Sequence, residues 1–195
     1  MTELTCFKAY DVRGEIGVNI DEDIAYRIGR AVTQHFSAKS VVIGFDAREL
    51  SPAFAAAASQ GVRDAGADVI NIGMAGTEEM YWAVTEFCAC AGIEVTASHN
   101  PINYNGMKIV KSGSQPLDDM GEFRVIKALA ESGEWFVSSQ SGHLIDKSVE
   151  ARAKYVSKVL SFVDLDAVRP LKVVVNSGNG AAGPTFDAIA KRLAD

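Results

Sequence analysis

Ser98, His99 and Lys108 bring a hydroxyl, an imidazole and an ammonium into one short stretch of chain. The hydroxyl lies in Thr96-Ala97-Ser98-His99-Asn100-Pro101, directly after the apolar, β-rich run Gly92-Ile93-Glu94-Val95. Asn-Pro favours a turn, so the serine is expected off the end of a strand, on a short and restricted loop. Asn105-Gly106 is the strongest short hairpin signal. If Ile109-Val110 pairs back along the preceding strand, the Lys108 ammonium returns close to the hydroxyl. A serine held near a lysine and an imidazole suits nucleophilic or phosphoryl-transfer chemistry. An ordinary strand-to-helix loop accounts for the same residues equally well.

Other polar groups sit where an α/β layer would gather them. Val41-Val42-Ile43-Gly44-Phe45 reads as a strand buried on both faces, and Asp46-Ala47-Arg48 follow it directly. Val69-Ile70-Asn71-Ile72 reads as a second strand, with a turn at Gly73 to Gly76 and a capped helix start at Thr77. Glu78 and Glu79 there complement the positive end of a helix dipole rather than catalyse. In open α/β sheets ligands bind beyond the carboxyl ends of strands. Asp46 and Arg48, Gly73 to Thr77, and Ser98 to Asn100 would therefore face one edge.

The helices between these strands are legible from their periodicity. Asp21 can cap a helix to Phe36 carrying Ile24, Ile28, Ala31, Val32 and Phe36 on one side, with His35 at the surface. Ser51-Pro52 supply a cap and a first-turn proline for an alanine-rich helix ending at Gly66. A further helix is expected from Asp118 to about Ala130. Alternating strands and helices imply a largely parallel, right-handed α/β layer. Nearer the start, Tyr10-Asp11-Val12-Arg13-Gly14 reads as a strand and turn, where Arg13 suits an exposed fork for phosphate or carboxylate.

Beyond Gly133 the composition shifts. Gly133 to Gly142 reads as a linker or surface loop, and His143 as solvent-facing and unpartnered. Asp146 or Ser148 opens a helix to about Phe162, with Tyr155, Val156, Val159, Leu160 and Val163 on its apolar side. Asp164-Leu165-Asp166 has the look of a metal-binding DxD, but its position favours a capping loop. Leu171 to Asn176 reads as a strand. Gly178 to Gly183 then match GxGxxG, with Pro184 opening a helix. The dinucleotide fingerprint also needs an acidic residue about 20 positions on and a complete βαβ unit, so a tight turn for helix packing is expected instead. Residues from about 150 onward read as the beginning of a second domain, and the chain as the N-terminal part of a longer protein.

Composition narrows the function classes. The 195 residues are 48% hydrophobic and 23% charged, with a formal charge of −6. That charge and the lack of a Lys/Arg cluster argue against a nucleic-acid footprint. Cys6, Cys88 and Cys90 form neither a CxxC pair nor half a zinc knuckle, which suits reduced thiols. No signal peptide is evident, and no apolar run approaches the roughly 18 residues of a membrane span. A soluble cytoplasmic protein with no nucleic-acid or membrane partner is expected.

A set of ordered motifs now carries a resemblance. Thr96 to Pro101 resembles the phosphoserine loop of the α-D-phosphohexomutase family. Tyr10 to Gly14, Gly44-Phe45-Asp46-Ala47-Arg48 and Asn105-Gly106-Met107-Lys108 are similar to that family in the same order. Gly76-Thr77-Glu78-Glu79 and Asn176-Ser177-Gly178-Asn179-Gly180 resemble its bacterial phosphomannomutase branch. The resemblance implies a three-layer αβα domain with a mixed, mostly parallel sheet over residues 1–145. Residues 146–195 would begin a second, similar domain.

The resemblance also implies a chemistry. Ser98 would carry a phosphate, give it to a hexose phosphate, and take back the other phosphate of the bisphosphorylated sugar. Substrates would be mannose 6-phosphate and mannose 1-phosphate, feeding GDP-mannose and polysaccharide synthesis. Mg²⁺ would bind a phosphoryl oxygen on Ser98 together with carboxylates. Catalytic roles fall on Ser98, Lys108, His99 and Arg13, and substrate or phosphate contacts on Tyr10, Arg13, Asn100 and Lys108. Lys108 would move a proton or act as an electrostatic clamp, while Asp46 and Arg48 would support the loop. The family's aspartate-rich DGDGDR metal loop does not occur here, so little activity is expected of these residues alone. A phosphoglucomutase or dual-specificity mutase, a noncatalytic phosphosugar-binding module and an NAD-dependent oxidoreductase remain alternatives. A Ser/His hydrolase lacks a third member, and oligomeric state is not legible.

Overall fold

The computed structural model describes residues 3–118 and 121–194. Strand-helix alternation produces β1 (Val12–Glu15), α1 (Glu22–Phe36), β2 (Ser40–Phe45), α2 (Ser51–Asp64), β3 (Asp68–Met74), α3 (Thr77–Glu86) and β4 (Ala91–Val95). There follow β5 (Tyr104–Lys111), β6 (Gln115–Pro116), α4 (Glu122–Ser132), β7 (Leu144–Asp146), α5 (Ser148–Leu160) and α6 (Ala182–Ala194). The strands form one sheet in the order β1-β5-β4-β2-β3-β7, with β6 beside β5. β4, β2, β3 and β7 pair in parallel. β5 runs against β1, β4 and β6. The sheet is mixed and mostly parallel.

Period-two alternation sends neighbouring side chains of the central strands to opposite layers. Val41, Ile43, Ile93, Val95 and Met107 meet Ile28 and Val32 of α1, Phe54 and Val62 of α2, and Phe123 and Ile126 of α4. Val42, Ile70, Ile72 and Val110 meet Met80 and Val84 of α3 and Ala151 of α5. Helices thus cover both faces, as the αβα expectation requires. No helix among the described residues is long and apolar enough to cross a membrane.

Local chemistry departs from the sequence reading at several points. Asn105-Gly106 makes no turn; both residues lie inside β5, opposite Gly14 and Arg13 of β1. The connection from β4 to β5 is the Ser98 loop itself. Asp21 caps α1 as expected, accepting from the Ile24 N–H at 2.8 Å. Ser51 is not a cap but the first residue of α2, and its hydroxyl is drawn to Asp46. Gly76, rather than Thr77, caps α3. α4 begins at Glu122, later than expected. Asp164 accepts from the Asp166 N–H and opens a 3₁₀ turn, as a capping loop should.

Three differences concern the second half. His143 is exposed yet partnered: its backbone N–H donates to Asp68 Oδ1 at 2.7 Å, and its ring Nδ1 lies 3.1 Å from the same atom. It leads into β7, a short strand along β3 that the sequence reading, with a linker to Gly142 and a helix opening at Asp146 or Ser148, does not anticipate. Leu171 to Asn176 is not a strand. No partner strand reaches it among the described residues, and Val174 is 93% exposed. β propensity expresses packing on neighbours, so a β-branched run without them gains nothing by joining a ladder.

Candidate active site

The loop after β4 starts from a fixed point and turns sharply. Thr96 N–H donates to the Gly106 carbonyl on β5 at 3.0 Å. Ser98 then adopts φ +52°, a left-handed conformation that costs a non-glycine residue. Its N–H donates to Thr96 Oγ1 at 2.9 Å, and the Asn100 N–H donates to the Ala97 carbonyl at 3.0 Å. Ser98 and His99 are exposed at the crest, while Asn100 is half-buried. Ser98 Oγ lies 3.3 Å from His99 Nδ1, a long contact between two solvated groups.

Two guanidinium groups hold this bend. Arg48 Nη1 donates to the carbonyls of Pro101 at 2.7 Å and Tyr104 at 3.2 Å. Its Nη2 donates to the carbonyls of Ser98 at 3.1 Å and Asn100 at 2.6 Å. A planar fork with several fixed donors can collect carbonyls from a curved backbone in this way. Arg13 Nη1 donates to the Thr96 carbonyl at 2.8 Å, and Nη2 pairs with Asp11 Oδ2 at 2.5 Å. The exposed fork expected of Arg13 is therefore committed to the backbone and to Asp11, with 11% of its side chain accessible.

The Arg48 clamp is itself anchored. Asp46 Oδ2 lies 3.4 Å from Arg48 Nε. Asp46 Oδ1 accepts from the Arg48 N–H at 3.0 Å and from Ser51 Oγ at 2.6 Å. Asn105 Nδ2 donates to Ser51 Oγ at 3.2 Å, and both residues are fully buried. A hydrogen-bonded chain thus runs from β5 through α2 and the β2 turn to the serine loop. The sequence suggests a cap at Ser51 and a turn at Asn105; buried polar groups need partners, and here they find each other.

Ser98, Asn100, Asp46 and Arg48 line a cleft of about 510 Å³ together with Thr96 and Ile102. Its far wall is Gly178 to Ala181. That turn, expected only to pack a helix, carries left-handed backbone at Gly178 and Asn179 and leads into the N-terminus of α6. Positive dipole charge at that end suits an anionic ligand. His99, Lys108, Arg13 and Tyr10 lie outside the lining, and Tyr10 is 70% exposed. Ile109 and Val110 do pair back along β4, as expected, with Lys108 in register opposite Glu94. Lys108 is half-buried, and its ammonium makes no hydrogen bond or ion pair among the described residues.

Two acidic residues are internal. Glu79 is buried and accepts from Arg152 Nε at 2.8 Å and from Thr185 Oγ1 at 3.1 Å, linking α3 to α5 and α6. Arg152 also donates to the Met74 carbonyl. Glu94 is fully buried below the serine loop, and neither carboxyl oxygen has a partner among the described residues. Burial, aided by Asp46, Glu79 and Glu78, holds its carboxyl well above the ordinary range. An acidic residue in an otherwise apolar strand is its only signal in the sequence. Among the described residues no three His, Cys, Asp or Glu side chains converge as a metal site.

Comparison with known proteins agrees with this arrangement. Residues 5–134 match the family described as phosphoglucomutase/phosphomannomutase, alpha/beta/alpha domain I. The phosphomannomutase of Salmonella typhimurium is 46% identical over 193 residues, which are 99% of this chain and 42% of that protein. Phosphohexose mutases of Xanthomonas campestris are 40% identical over 191 residues, again 42% of their length. The crystal structure of a phosphoglucomutase/phosphomannomutase family protein from Burkholderia thailandensis superposes with a TM-score of 0.85 at 33% identity. It is covered over 43% of its length by all of this chain. The chain spans about two fifths of the curated relatives it matches. On the match over residues 5–134 and these identities, the chain belongs to the phosphoglucomutase/phosphomannomutase family.

Proposed function

We propose that the protein containing this chain is a phosphomannomutase, interconverting mannose 6-phosphate and mannose 1-phosphate through a phosphoryl group carried on Ser98. The observation that carries the reading is the serine's presentation. A left-handed bend, clamped through four carbonyls by Arg48, exposes its hydroxyl at the rim of an open cleft. Such a bend fixes where phosphorus sits, and positioning with charge neutralisation is most of phosphoryl-transfer catalysis.

In the first half-reaction the bond from Ser98 Oγ to phosphorus breaks as a sugar hydroxyl oxygen bonds to phosphorus. The hydroxyl proton passes by way of a base to the departing Ser98 Oγ, and the sugar becomes a bisphosphate. After the sugar turns over, Ser98 Oγ attacks its other phosphoryl group and releases the isomeric monophosphate. Lys108, uncommitted among the described residues, is assigned to the phosphoryl and sugar oxygens, and Arg13 and Arg48 to holding the loop. His99, Asn100 and Tyr10 are assigned to phosphate or sugar contacts. Phosphoserine adds about −1.5 to −2 charges. Mg²⁺, when bound, would neutralise part of that charge. This chain offers it a phosphoryl oxygen on Ser98, and further ligands must come from elsewhere in the protein.

We assign residues 1–145 to the domain that presents the serine and 146–195 to the start of the next. β7 straddles that boundary, and α5 packs its Ala151 into the core formed by β3 and α3, so under this assignment the two share packed surface. The test is mutase assay of the full-length protein with Ser98→Ala. The reading expects turnover to fall at least a thousandfold while the phosphosugar still binds. Undiminished turnover overturns it; binding without turnover in the unsubstituted protein supports a phosphosugar-binding module instead. The ratio of kcat/KM for mannose and glucose phosphates separates phosphomannomutase from phosphoglucomutase.

A further inference from the structure

Glu94 and Lys108 are opposed across β4 and β5, so both side chains leave the sheet on one face. That face is the α3 face: a Cβ on Gly92, two residues earlier, would meet Met80 and Val84. Gly44 lies beside Glu94 on β2, and a Cβ there would come within 2.4 Å of Glu94 Oε2. The missing side chain at Gly44 is the niche that holds the carboxyl. Despite the register, no ion pair joins Glu94 to Lys108.

The groups facing this niche come from every element packed on it. Asp46 approaches from the turn after β2, and Glu78, Glu79 and Tyr81 from α3. Arg152 of α5 and Thr185 of α6 are spent on Glu79. Lys108 of β5 is the cation across the strand. Burial first, and then the carboxylates of Asp46, Glu79 and Glu78, raise the pKa of Glu94 well above the ordinary carboxylate value and so favour its neutral form.

We propose that Glu94 is a positioning residue for Lys108: as the neutral acid it leaves the ammonium uncommitted, and as the carboxylate it draws the ammonium across the strand, away from Ser98. The inference rests on the assignment of Lys108 to the phosphoryl group. Ionisation releases one proton to solvent and converts two unpaired groups into one buried ion pair. A phosphoryl group on Ser98 competes for the same ammonium. By linkage, phosphorylation and protonation of Glu94 therefore favour one another. The active arrangement is thus complete below the raised folded-state value of Glu94 and is lost as pH rises through it.

The experiment has two arms on the full-length protein. In the first, kcat is followed against pH for the unsubstituted protein and for Glu94→Gln, which keeps the shape without a proton to lose. The ratio of alkaline to neutral kcat should rise in Glu94→Gln by about tenfold for each pH unit above the Glu94 transition. An unchanged ratio overturns the proposal. In the second arm, infrared spectroscopy follows the buried acid's carbonyl band, assigned by its loss in Glu94→Gln, through a pH titration. Lys108→Met should move that titration to higher pH, because the carboxylate loses its counter-ion. A band missing at neutral pH, or a titration that ignores Lys108→Met, overturns the proposal. Absence of mutase turnover in the unsubstituted protein would refute the phosphomannomutase reading alone; the infrared arm would still decide the coupling.

Discussion

Arg48 and Ser98 lie fifty residues apart in the chain and one hydrogen bond apart in space, with Arg48 Nη2 donating to the serine's own carbonyl at 3.1 Å. The strained residue and the group that restrains it thus belong to different strand ends of one sheet. An unrestrained left-handed serine would relax toward ordinary backbone, carrying its hydroxyl away from the cleft. The bend is a property of the β2 turn as much as of the loop.

Arg48→Lys tests that restraint. An ammonium cannot reproduce a planar fork that reaches four carbonyls. The substitution should destabilise the loop by roughly 2–4 kcal/mol, read as faster amide exchange from Ser98 to Tyr104. Turnover in the full-length protein should drop at least tenfold, mostly in kcat. Unchanged exchange would show that the loop holds itself.

The anchor behind the clamp makes a second prediction. Ser51→Ala removes the donor to Asp46 Oδ1 and the acceptor of Asn105 Nδ2, leaving a buried amide unsatisfied. The cost should be about 1–3 kcal/mol, measured as a lower urea midpoint with an unchanged slope. A helix cap lost from the surface would cost less and would leave loop exchange untouched.

The strand-end rule makes the cleft legible from residue order alone. Asp46, Arg48 and Ser98 can be placed at one edge because β-branched runs end just before them. Glu94 cannot, since its position inside an apolar run says nothing about the niche opened by Gly44 on the neighbouring strand. Asn105-Gly106 misleads for a related reason: the amide is more valuable bonded to Ser51 in the interior than in a turn. Arg13 reads as free because Asp11 and the Thr96 carbonyl meet it only after β1 pairs with β5. Leu171 to Val175 carry strand propensity, yet propensity forms no ladder without a neighbour. β7 is only three residues, none of them buried, too little for a pattern to register.

The internal ion pair between Glu79 and Arg152 should behave asymmetrically. Arg152→Met leaves a buried carboxylate with Thr185 alone and should cost about 3–5 kcal/mol. Glu79→Gln with Arg152→Met, which removes both charges, should cost clearly less than the sum of the single changes. Thermal unfolding of the four proteins of this cycle measures the difference; strict additivity would mean the pair is not coupled.

The thiols separate by burial. Burial pushes Cys6 from 9.0 up to about 11, while Cys88 is exposed. The thiolate is the reactive form, so Cys88 should react with an alkylating reagent in the native protein and Cys6 only on unfolding. Because the folded state holds the Cys6 proton more tightly, stability should be full below pH 9.0 and decline toward about pH 11. Rapid native labelling of Cys6, mapped by peptide mass, would contradict this packing.

The most direct measurement is the mass of the full-length protein, with peptide mapping, before and after adding a hexose monophosphate. The account predicts one phosphoryl group on Ser98 that is discharged to the sugar at least as fast as the enzyme turns over, with bisphosphorylated sugar as the product. A serine that stays unmodified while turnover proceeds, or a phosphoserine that the sugar leaves untouched, would contradict it.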